Sequence, residues 1–72
     1  MLITKTADLF TQQILEELAE AEGIIPTYEE MRAQVRGARQ MMLEVLWAAP
    51  DAPFTEIRKA FLTAYTGLEW DF

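Results

Sequence analysis

The sequence predicts an all-α protein, a small bundle of three helices with a long middle one, completed by dimerisation. Three observations point there. Apolar residues recur at spacings of three and four over three separate segments. The breaks between them fall at Gly23 and Pro26 and again at the run APDAP over residues 49–53. Strand-like alternation is confined to residues 2–4.

The first helix is expected over residues 6–22. Leu9, Phe10, Ile14, Leu15, Leu18 and Ala21 form its apolar stripe. Thr6 can cap its start, and Asp8 falls in the first turn, where the helix dipole favours an acid. Gly23 ends it, because glycine alone takes the left-handed conformation after a helix without steric cost.

The second helix is expected over residues 28–48 and has the clearest start. Thr27 and Glu30 have the spacing of a capping box, in which each side chain bonds the other's amide. Ile24 or Ile25 can staple onto Met31 beside it. Met31, Val35, Ala38, Met42, Val45 and Ala49 are then spaced 4, 3, 4, 3, 4, a heptad seam that passes through Gly37 without losing phase. A turn at Gly37 would not require the stripe to resume in register, so one continuous helix is expected. Leu43, Leu46 and Trp47 widen the apolar face of its second half, as contact from two sides would require.

Pro50 and Pro53 stop that helix, and a third follows over residues 54–66 with Phe54, Ile57, Ala60, Phe61, Ala64 and Tyr65 on one face. Gly67 is its terminating glycine and Leu68 the residue packing back on it. Residues 69–72 then either fold back, adding Trp70 and Phe72 to the core, or form a free acidic-aromatic docking tail. The middle helix is about 30 Å long, more than the outer two cover easily, hence the expected homodimer.

At 72 residues and 8.3 kDa the chain is one domain over 1–72. A chain this short hides only roughly 60 % of its surface. It starts at Met1 and is read as a complete small protein. Cysteine, histidine, serine and asparagine are all absent, which excludes disulfides, the usual zinc sites and triads built on serine or cysteine. Carboxylate pairs remain, but a helical domain this small offers little room for a catalytic cleft. No enzyme activity, cofactor or metal site is expected.

The net charge is −6 with a pI near 4.4, which disfavours non-specific attraction to nucleic acid or anionic lipid. The N-terminus lacks the pattern of a signal peptide and no apolar run approaches a membrane span, so a cytoplasmic protein without membrane contact is expected. Glu16, Glu17, Glu20, Glu22, Glu29 and Glu30 do not match a calcium loop and read as a solvated face. Arg32, Arg36 and Arg39 are expected to meet Glu16, Glu17 and Glu20 across a helical hairpin, flanking the seam.

The function expected is a non-enzymatic protein–protein interaction module, an adaptor or inhibitor acting on a basic partner surface, in one version by imitating nucleic acid. Its candidate contact residues are Met41 and Trp47, which lie off the seam, with Glu16, Glu20, Trp70 and Phe72. The alternative is a helix-turn-helix DNA-binding regulator with its turn near Gly37, contacting nucleic acid through Arg32, Arg36, Arg39 and Gln40.

Overall fold

The computed structural model describes residues 2–67, which form three helices: α1 (Leu2–Ala21), α2 (Tyr28–Ala48) and α3 (Phe54–Thr66). Among the described residues there is no strand, and no helix is long and apolar enough to cross a membrane. The two expectations that hung on Leu68 and on Trp70 and Phe72 lie outside the described residues.

Two helices have the predicted bounds, and α1 departs from them. It starts at Leu2, so Thr6 lies inside it rather than capping it, Asp8 is beyond the first turn, and residues 2–4 are helical. Tertiary burial outweighs the weak local preference of the β-branched residues near its start. Ala7 and Thr11, neither of which belongs to the expected stripe, are both fully buried. The stripe is accordingly rotated: Ala7, Thr11, Ile14 and Leu15 face the core, Phe10 and Leu18 are half-buried, and Leu9 and Ala21 are exposed. Thr11 is tolerated inside because its hydroxyl donates to the Ala7 carbonyl at 2.7 Å, one turn back.

Gly23 ends α1 with φ +73. Its N–H donates to the Glu20 carbonyl at 3.1 Å while the Ile24 N–H donates to the Ala19 carbonyl at 2.8 Å. That pair of bonds is the Schellman motif, satisfying two carbonyls the helix end would leave open. The capping box of α2 forms as expected: the Glu30 N–H donates to Thr27 Oγ1 at 3.1 Å and the Thr27 N–H to Glu30 Oε1 at 2.8 Å. Neither isoleucine supplies a well-buried staple. Ile25 is 95 % exposed and Ile24 mostly exposed; Ile24 borders clefts lined by residues of all three helices but is not buried by them.

α2 runs unbroken through Gly37. Its buried residues are Met31, Val35, Ala38, Met42 and Leu46, so the seam leaves the strict heptad at its end, where Leu46 replaces Val45 and Ala49 is exposed. A helix of 3.6 residues per turn drifts off a 3.5 repeat by ~20° per heptad. Within one chain the seam is covered from Met31 to Met42, α1 being longer than expected, while towards its end Val45 is half-buried and Ala49 exposed although α3 packs on that half of α2.

The expected face of α3 is split. Ile57, Phe61 and Leu62 are buried, Phe54 is half-buried, and Ala60 and Ala64 are exposed. Leu62, outside the expected stripe, takes a place in the core. Phe61 stacks on Tyr65, with ring centroids 5.4 Å apart, and Phe10 meets Phe54 edge-on at 5.0 Å, joining α1 to the start of α3. Gly67 closes α3 at φ +74, its N–H donating to the Thr63 carbonyl at 2.9 Å.

Candidate functional site

Three surface features bear on function. One is an apolar groove of about 500 Å³ between the second half of α2 and α3. Met41, Val45 and Ile57 line it, and the alanines 48, 49, 52, 60 and 64 keep its walls low. Its polar groups are Glu44 on α2 and Glu56 on α3. Among the described residues neither acid is in an ion pair.

The second feature lies where α1 turns into α2. Ile24, Ile25, Pro26 and Tyr28 form an apolar knuckle beside a cleft of about 420 Å³, with Met31 at its base and Glu16 and Glu20 on its edge. Tyr28 is 75 % exposed. This knuckle was not anticipated as a surface. Its signal was two isoleucines before a proline, in an extended segment between two helices.

The third is a polar cleft of about 270 Å³ holding Asp8, Arg32, Arg36 and Arg39 with Tyr28. The expected ladder between these arginines and Glu16, Glu17 and Glu20 does not form. Arg39 instead grips Asp8, and Glu17 accepts from Arg58 of α3 at 2.9 Å. Register explains Arg39, since the Asp8–Arg39 level lies far along the hairpin from the loop while Glu17 and Glu20 lie near it; Arg32, which is near the loop, lies over Tyr28 instead. Hydrogen bonding to Asp8, reinforced by the carboxylate's charge, raises the pKa of Arg39 above its ordinary value. The Arg32 guanidinium rests 5.6 Å from the centre of the Tyr28 ring.

The candidate contact residues are thus distributed over separate places. Met41 lines the apolar groove, Glu16 and Glu20 edge the knuckle cleft, and Trp47 stands 64 % exposed outside all three features. Arg32, Arg36 and Arg39 share one cleft that does not include Gln40. Because α2 is continuous, the turn at Gly37 that the helix-turn-helix layout requires does not form. Among the described residues no three acids gather as a metal-binding group. No protein-family model matches the chain, and no match is found among curated proteins or solved structures.

Proposed function

We propose that this chain is a non-enzymatic docking module that binds another protein through apolar surfaces edged with acids. One observation carries the reading. Both apolar features, the α2/α3 groove and the knuckle over residues 24–28, carry carboxylates that form no ion pair among the described residues: Glu44 and Glu56 at one, Glu16 and Glu20 at the other. Apolar area supplies the attraction on contact, and unpaired acids favour partners bearing Lys and Arg at the rim. A second copy of the chain is the weaker candidate, since pairing these features with one another sets acids against acids.

Affinity capture from the source organism's lysate tests the reading, with the wild-type chain compared against Glu16→Gln/Glu20→Gln and Glu44→Gln/Glu56→Gln. A protein retained by the wild type and released by either pair of substitutions is expected. Retention that ignores all four carboxylates, or duplex DNA binding that falls steeply with salt, refutes it.

A further inference from the structure

We infer that the groove between α2 and α3 receives an amphipathic helix of a partner protein, apolar on its buried face and flanked by Lys or Arg. This rests on the docking reading above and specifies one site for it. The groove is lined by two neighbouring helices and is apolar at its base, the geometry into which a helix lays an apolar face. Alanine walls allow a third helix axis within the usual 8–10 Å. Glu44 and Glu56 belong to different walls, so each is placed to meet one flank of the incoming helix.

Gly37 is the independent observation. It lies in the middle of α2, where glycine is a poor helix former, and a Cβ built on it meets nothing within 4 Å. The chain's own packing therefore has no use for the missing side chain. Gly37, Met41, Glu44 and Ala48 follow one another at helical spacing of four, three and four along one row, and the last three line the groove. Gly37 lies one turn beyond that lining, so a helix laid along the groove and extending past Met41 meets no side chain there.

Charge selects the occupant. A second copy docking through its own groove or knuckle would bring Glu44 and Glu56, or Glu16 and Glu20, to the acids already there. That pairing sets acid on acid, and a helix with basic flanks does not.

The test uses the full chain and two synthetic amphipathic helices of about five turns, sharing one leucine-alanine face, one flanked by Lys and the other by Glu. Binding is followed by fluorescence anisotropy and located by amide NMR shifts. The Lys-flanked peptide is expected to bind at Met41, Ala48, Ala60 and Ala64, at least about tenfold more tightly than its Glu-flanked counterpart. Glu44→Gln/Glu56→Gln should close most of that gap. Gly37→Leu should weaken binding while raising the unfolding temperature, so its loss of binding is not a loss of fold. Equal binding of the two peptides, no binding of either, unchanged binding by Gly37→Leu, or self-association of the free chain through the same residues overturns the inference. Shifts at residues 24–28 instead also overturn it while leaving the docking reading standing. That reading fails separately, by carboxylate-independent capture.

Discussion

Arg39 clasps Asp8 through two parallel bonds, Nε to Oδ1 and Nη2 to Oδ2, each 2.8 Å long. This fork ties the middle of α2 to the second turn of α1 and so sets the register of the hairpin. Ala7 and Ala38, the immediate neighbours of the two residues, are both buried, so the clasp stands at the edge of the place where the helices come close. Neither side chain is deeply buried, with 41 % of the arginine and 30 % of the aspartate exposed. The clasp specifies an arrangement more than it stabilises one.

A lysine at position 39 keeps the charge and loses the fork. Arg39→Lys and Asp8→Asn are therefore each expected to lower the thermal midpoint slightly, with a non-additive double mutant. The difference should shrink in ~1 M salt, where the screening length is about 3 Å. An Arg39→Lys chain indistinguishable from wild type at low salt would show that the bidentate geometry contributes nothing.

The rotated stripe of α1 makes a sharp pair of predictions. Leu9 is 60 % exposed and Ile14 only 1 %, although spacing alone puts both on the apolar face. Leu9→Ala should stay within about 0.5 kcal/mol of wild type, and Ile14→Ala should cost about 2–5 kcal/mol. For 72 residues, a total stability of about 4–11 kcal/mol follows from ~0.05–0.15 kcal/mol per residue. Urea unfolding followed by circular dichroism should therefore show Ile14→Ala losing a large share of its stability, and similar costs for the two variants would restore the unrotated stripe.

Two glycines should respond with opposite signs to the same substitution. Gly37 has ordinary helical geometry and open space around it, so Gly37→Ala is expected to add about 1 kcal/mol. Gly23 sits at φ +73, where alanine is strained, so Gly23→Ala should remove about 1 kcal/mol. Chemical denaturation midpoints measure both. A destabilised Gly37→Ala chain would mean that the chain's own packing requires the glycine after all.

Glu30 gives the fold a specific pH dependence. Its bond from the Thr27 backbone amide, and then its interaction with the Thr27 side chain, hold its pKa below the ordinary 4.5. A depressed folded pKa contributes stability that is present above the unfolded value and is lost as pH falls through the folded one. The start of α2 should therefore loosen as pH drops below about 4.5. Glu30→Gln keeps an acceptor for the Thr27 amide without titrating, so its unfolding midpoint should lose this component of the acid sensitivity. An identical acid profile for both chains would refute the assignment.

Local chemistry in the sequence was sufficient for the helix count, the capping box, the terminating glycines and the continuity of α2. Each of these depends on residues within one or two turns of one another. The groove was only half legible: Met41 stood out as an apolar side chain off the seam, whereas Ala60 and Ala64 read as core. The knuckle was missed because the same two isoleucines were equally suited to stapling onto α2.

What only the tertiary structure decided is which side of each helix faces inward and which charges meet. Periodicity defines an apolar stripe about 100° wide, and a neighbour covers part of it. Where α2 leaves Ala60 and Ala64 of α3 uncovered, stripe becomes groove. Where α1 lies against α2, Ala7 and Thr11 displace Leu9 from the interior, because close approach of two helices favours small side chains over large ones. The partner of Arg39 depended on hairpin register, a relation between residues 31 positions apart that no local pattern encodes.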